Sequence, residues 1–177
     1  MAKAGIVYAG TDDGLVILSD PGGLKRWRPV GHELVGQQVT ALQADGPLTV
    51  TAFTPQGAFH SEDGGQSWQS VSTMPPPTPA LTTALALPGT PAVQIRVDAP
   101  ALTMLRSLDA GQRWHVTTTP PQAGMITTIV LAPYHMDTVW AGSSTGELLC
   151  SDDRGAIWRC ITKLGAGVRS LAVVRLM

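Results

Sequence analysis

Short runs rich in Val, Ile, Leu and Thr alternate along this chain with clusters of Gly, Pro, Asp and Ser. Apolar residues at helical spacing are nearly absent, so the pattern predicts many short strands joined by turns. One order of strands can be read four times. An apolar strand leads: Val39-Thr40-Ala41-Leu42, Thr82-Thr83-Ala84-Leu85, Ile126-Thr127-Thr128-Ile129 and Val168-Arg169-Ser170-Leu171. Ala41, Ala84, Thr128 and Ser170 are small, which lets inner strands crowd together near an axis. A second strand follows at Ile6-Val7-Tyr8-Ala9-Gly10, Leu48-Thr49-Val50-Thr51-Ala52, Ala92-Val93-Gln94-Ile95-Arg96 and Thr138-Val139-Trp140-Ala141-Gly142. A third is typified by Gly57-Ala58-Phe59-His60 and Glu147-Leu148-Leu149-Cys150, and a fourth begins at a tryptophan.

Between the third and fourth strands stands a recurring box, Ser-x-Asp-x-Gly-x-x-Trp. Its copies are Ser61, Asp63, Gly65, Trp68; Ser107, Asp109, Gly111, Trp114; and Ser151, Asp153, Gly155, Trp158. A worn copy begins at Ser19-Asp20, with Trp27 one place late when counted from Ser19. The serines are 42, 46 and 44 residues apart. Four antiparallel strands in each ~40–45-residue repeat is the signature of a β-propeller blade. The prediction is a single all-β domain over 1–177, with repeats at about 1–38, 39–80, 81–124 and 125–166 and a closing strand at 167–177.

The chain opens on a second strand and closes on a first strand. Joining the two hides sheet edges that would otherwise invite aggregation, so the reading predicts a self-complete chain of four four-stranded blades. Two closures fit. The chain closes on itself, or two chains join into an eight-bladed homodimeric ring, each supplying the other's missing strand. The dimer is the favoured expectation.

The boxes resemble the Asp-box, or bacterial neuraminidase repeat, and the resemblance spans essentially the whole chain. Within the box, the aspartate suits backbone amides of a tight turn, glycine supplies a positive φ, and the tryptophan offers a large ring for burial. Relatives of this family include sialidases, xyloglucan-cleaving hydrolases, sortilin-type receptors and photosystem II assembly factors. The resemblance implies a propeller whose boxes lie on the outer rim, away from the ligand face. It does not imply one function.

Composition narrows the classes. Hydrophobic residues make up 44% and charged residues 14%, which excludes bulk disorder. A net charge of -1 gives no reason to expect a nucleic-acid partner or an anionic membrane surface. No apolar run approaches the ~20 residues of a membrane helix, and no signal-peptide core of ~7–15 residues opens the chain. A cytoplasmic location is the expectation. Cys150 and Cys160 flank the third clean box and are expected on facing strand positions, as a half-buried pair or as a cross-strand disulfide. Neither clustered metal ligands nor a phosphate-cradling loop is present, so no metal or cofactor is expected.

Two functional readings follow. A sialidase-like site, as the resemblance implies it, needs an arginine cluster and a tyrosine nucleophile. The family's Arg-Ile-Pro motif does not occur here, and the tyrosines are Tyr8, read as packing, and Tyr134, placed in a loop on the opposite face. A two-carboxylate hydrolase would draw on Asp12, Asp13 and Asp98. The favoured reading is a non-catalytic binding or assembly module that recognises a protein or glycan through its loop face. Its candidates are Asp12, Asp13, His32, Glu33, Asp98 and Ser144, on loops that also include Thr54-Pro55-Gln56, Met74-Pro75-Pro76-Pro77, Pro120-Pro121-Gln122 and Leu164-Gly165-Ala166. His60, just before a box, is read as an outer surface position.

Overall fold

A computed structural model describes residues 5–72, 75–77, 84–98, 103–120 and 123–176. These residues form strands and no helix, gathered into four four-stranded antiparallel sheets. No helix among the described residues is long and apolar enough to cross a membrane. The first sheet contains β1 (Gly5–Thr11), β2 (Gly14–Asp20), β3 (Arg28–Glu33) and the last strand, β16 (Val168–Arg175), in the order β16-β1-β2-β3. The second contains β4 (Ala41–Ala44), β5 (Val50–Thr54), β6 (Gly57–Ser61) and β7 (Gln69–Val71). β8 (Leu85–Leu87), β9 (Thr90–Asp98), β10 (Thr103–Ser107) and β11 (His115–Val116) make the third. The fourth is β12 (Ile126–Leu131), β13 (Val139–Ser143), β14 (Glu147–Ser151) and β15 (Arg159–Lys163).

The terminal strands do pair. β16 runs antiparallel to β1 from Gly5↔Arg175 to Thr11↔Val168, within the same chain. Exchange of this strand between two chains is therefore not the arrangement seen. Other strands differ from expectation at their ends. The leading strand expected from Val39 starts at Ala41, because Val39 is buried as a packing residue before the ladder begins. Of Thr82-Thr83-Ala84-Leu85, Leu85 opens β8, while Thr82 and Thr83 lie outside the described residues, as do Met74, Pro121 and Gln122. The cysteines do not face each other. A bulge between Leu148 and Leu149 sets Cys160 opposite Leu149 and Arg159 opposite Cys150. Both thiols are free, Cys150 buried and Cys160 exposed.

Each box is a hydrogen-bonded turn. The Ser61 hydroxyl donates to Asp63 Oδ1 at 2.7 Å and accepts the Gly65 amide at 2.9 Å. Asp63 Oδ1 then accepts the amides of Gln66 and Ser67, each at 2.9 Å. Ser107 and Ser151 repeat the device with Gly111 and Gly155, and Asp109 and Asp153 take the amides of Arg113 and Ile157. The worn first copy is in register after all. Asp20, not Ser19, ends its strand as the box serines end theirs, and Trp27 then follows at the same distance as the other tryptophans. The Asp20 carboxylate does both jobs, accepting Leu24 N at 3.2 Å and Lys25 N at 2.6 Å.

The boxes pack sheet on sheet. Gly65 has φ +95°, and a side chain there would strike Ile17 of the first sheet. Gly155 has φ +76° and sits in the same way on Ile95 of the third. Trp27 meets Trp140 of the fourth sheet edge-on, with ring centroids 4.9 Å apart. Three apolar clusters result. Val7, Leu18, Trp140, Leu148 and Leu171 join the first and fourth sheets. Val93, Ile95, Ile129, Leu149 and Trp158 join the third and fourth. Tyr8, Ile17, Val39, Val50 and Val174 join the first and second. A small fourth cluster, Ala41, Phe53 and Ala58, stays within the second sheet.

Removing a box tryptophan should cost stability according to what lies beneath it. Trp158 is 4% exposed, so Trp158→Ala should cost about 3–5 kcal/mol. Trp114 is half-buried and lies 4.4 Å from the Arg96 guanidinium. Trp114→Ala should cost about 1 kcal/mol. Urea unfolding of both variants checks the order, and equal losses would contradict it.

Candidate functional site

The turns β1–β2 and β13–β14 and the segment from β3 to β4 meet beside the start of β16. Each two-strand turn opens with a hydroxyl that folds back on it: Thr11 Oγ1 donates to the Gly14 carbonyl, and Ser143 Oγ accepts the Glu147 amide. These local bonds fix the loops that carry the polar groups. The Asp12 amide donates to the Gly167 carbonyl at 2.9 Å, so the first turn is tied to the entry of the closing strand. A side chain on Gly167 would meet both Asp12 and the Ser144 carbonyl, which leaves the three segments in van der Waals contact.

Asp12 is the hub. Its Oδ1 accepts Arg169 Nε at 2.7 Å and Gln38 Nε2 at 2.6 Å, and its Oδ2 accepts Arg169 Nη2 at 3.1 Å. The two parallel Arg169 bonds are the strong, geometrically selective form of a carboxylate pair. The bond from Arg169 holds the Asp12 carboxyl below the usual carboxylate range and raises the guanidinium in turn. Asp13 points the other way, its Oδ1 accepting the Gly36 amide at 2.8 Å while its carbonyl meets His32 Nε2.

The structure thus brings Asp12, Asp13, His32, Glu33 and Ser144 to one end of the molecule, around Arg169 and Gln38. Two placements differ from the sequence reading. His32 and Glu33 belong to β3, not to a loop, because they pair with Val16 and Leu15 of β2. Asp98 is the last residue of β9, paired with Thr103 on the third sheet, and does not join the group. Arg169 and Gln38 were missed. Their partner lies 157 residues away from one and 26 from the other, so sequence proximity carries no signal for them. His60 is half-buried, its Nδ1 2.9 Å from the Thr51 hydroxyl, on the face that Arg106 and Cys150 occupy in their own sheets; where that face meets a neighbouring box, Arg106 donates to the Arg154 carbonyl at 2.8 Å.

Glu147 closes the adjacent turn from within. Burial raises its pKa, but Lys163 at 2.8 Å and bonds from Ser143, Thr145 and the Gly124 amide outweigh this and leave it well below the usual carboxylate range. At the opposite end of the molecule, a cavity of about 180 Å³ lies between the first and fourth sheets beside Trp27, Tyr134 and Trp140. Its charges pair locally, with Lys25 and Arg159 both on Asp152. No group of three or more metal-ligating side chains is present among the described residues.

No family model and no curated protein matches the chain. Solved structures do. An ancestral GH74 enzyme is similar over 86% of this chain and 22% of its own, at 17% identity and a TM-score of 0.36. The GH74 enzyme of Niastella koreensis is similar over 90% of this chain and 24% of its own, at 13% identity and a TM-score of 0.39. YCF48 bound to a D1 peptide is similar over 90% and 78%, at 15% identity and a TM-score of 0.30. The chain spans about a quarter of the GH74 enzymes' length. Likenesses this low in identity and TM-score carry no functional argument.

The depressed carboxylates fix the sign of the acid response. Asp12 and Glu147 have folded values below their unfolded ones, about 4. Their stabilisation is complete above the unfolded value and is lost as pH falls through the folded one. The urea midpoint should hold steady from about pH 7 to 5.5 and fall below about pH 4.5. Glu147→Gln should lower the midpoint at pH 7 and flatten the decline. A midpoint that rises on acidification would contradict this.

Proposed function

We propose that the four sheets are blades of a β-propeller and that the chain is a non-catalytic binding or assembly module. It recognises a protein or glycan at the loop end built around Asp12, Arg169, Gln38, Asp13 and His32. The observation that carries this reading is the state of the acids there. Asp12 is held by a bidentate arginine and an amide, and Asp13 by a backbone amide. A glycosidase acid needs the reverse, a carboxyl kept protonated by an apolar pocket or a like charge. The carboxylates with shifted pKa values all move downward, Asp12, Glu147 and Asp152 included. What remains is a fixed set of donors and acceptors, suited to hydrogen-bond recognition of a polar ligand without paying to order long side chains. A cytoplasmic location accompanies this proposal.

Glycan and peptide arrays, run beside a fluorogenic sialoside assay, test it. Binding without turnover is expected. Arg169→Ala should weaken binding about tenfold or more, the cost of unpairing a hydrogen-bonded charge, while circular dichroism confirms that the variant is folded. Turnover abolished by Asp12→Asn, Asp13→Asn or Asp98→Asn would replace this reading with hydrolysis.

A further inference from the structure

Three sheet-to-sheet junctions share one construction. The second and third strands of one sheet present a face, and the box of the next sheet sits on it. Tyr8 and Ile17 of the first sheet receive the second-sheet box, where the Tyr8 hydroxyl also donates to the Pro47 carbonyl at 2.8 Å. Ile95 and Arg106 of the third sheet receive the fourth-sheet box. Trp140 and Cys150 of the fourth receive Trp27 and its turn. The sheets therefore run third, fourth, first, second. Among the described residues, no apolar cluster joins the second sheet to the third.

Among the described residues, both ends of this series carry the parts of a junction that is not made. On the second sheet the receiving face is Thr51 and His60, continued by Ala41, Phe53 and Ala58. A cavity of about 380 Å³ opens over it, lined by Phe53, Ala58 and Val71 and at one side by Pro76 of the same chain. On the third sheet, no neighbouring sheet lies beneath the box among the described residues. Gly111 rests on Gln94 of its own sheet, and Trp114 on Arg96. At the made junctions, the corresponding strand positions are Val7 and Ala9, Val50 and Ala52, and Val139 and Ala141, all fully buried. Gln94 and Arg96 are half-buried, and Arg96 Nε is a buried donor with no partner.

We propose that these two ends join between two copies of the chain, the second sheet of one receiving the third-sheet box of the other. Two such contacts related by a twofold axis close a ring of eight sheets and leave no unmatched face. This goes beyond the binding reading and does not rest on it. Charge supports the match. At the fourth-to-first junction, Asp152, just after the box serine, pairs with Lys25 in the facing turn at 2.9 Å. Glu62 holds the same place on the second sheet and is 84% exposed. The corresponding place in the third-sheet box is Gln112, followed by exposed Arg113. A second copy is the occupant proposed, because among the described residues the three made junctions leave these two ends unjoined and their charges are complementary. The polar faces Thr51–His60 and Gln94–Arg96 suit an interface that forms after folding.

The test is an engineered cross-link. Arg106 reaches the Arg154 carbonyl at a made junction, and His60 and Ala110 hold the matching places. His60→Cys with Ala110→Cys, in a Cys160→Ser background, should oxidise to a disulfide-linked dimer. Mixing the two single-cysteine chains should give the same dimer. Light scattering of the unmodified chain at micromolar concentration should give twice 18.6 kDa. Glu62→Arg and Arg113→Glu should each weaken dimerisation about tenfold, and the double variant should restore it. A folded monomer, an intrachain disulfide, or open filaments would overturn the proposal.

Discussion

The architecture depends on the pairing of β16 with β1, which joins residues more than 150 positions apart. β16 supplies Val168, Leu171 and Val173 to the cluster between the first and fourth sheets and Val174 to the cluster between the first and second. It therefore holds three sheets at once. Contacts at this sequence separation must overcome loop-closure entropy before any burial repays it, so the clasp is expected late in folding. It also carries Arg169 beside Asp12, and through that pair the polar end of the molecule is set by the same strand.

Beyond the clasp, the boxes decide how sheets meet. A serine hydroxyl and an aspartate carboxylate collect the turn's free amides, the glycine takes a positive φ, and in the second and fourth sheets the freed surface fits against a side chain of the preceding sheet. The device tolerates change if its hydrogen-bond acceptors survive. Asp20 replaces the serine and the aspartate together, because one carboxylate has two oxygens for two amides. A larger residue at Gly65 or Gly155 would fail on both counts, conformation and space.

Much of the fold was legible because strand patterning and turn chemistry are local. The box spacing and the second and third strands could be read directly, and so could a pairing of the terminal strands, but not whether it is made within one chain or between two. Local text is ambiguous at the first box, where Ser19 offers the expected residue type but Trp27 keeps the box spacing only from Asp20. A bulge at Leu148 and Leu149 moved Cys160 out of register with Cys150, and no sequence signal marks it. The candidate site was legible only in part. Asp12, Asp13, His32 and Ser144 converge, but Asp98 does not, and the partners that define Asp12 come from distant segments.

Hydrogen exchange along the chain tests the role of the clasp most directly. If β16 holds the sheets together, its amides and those of β1 should exchange together, at the slowest rate in the molecule, well below β7 and β11. Exchange of β16 at the rate of those outer strands, with β1 still protected, would contradict the account.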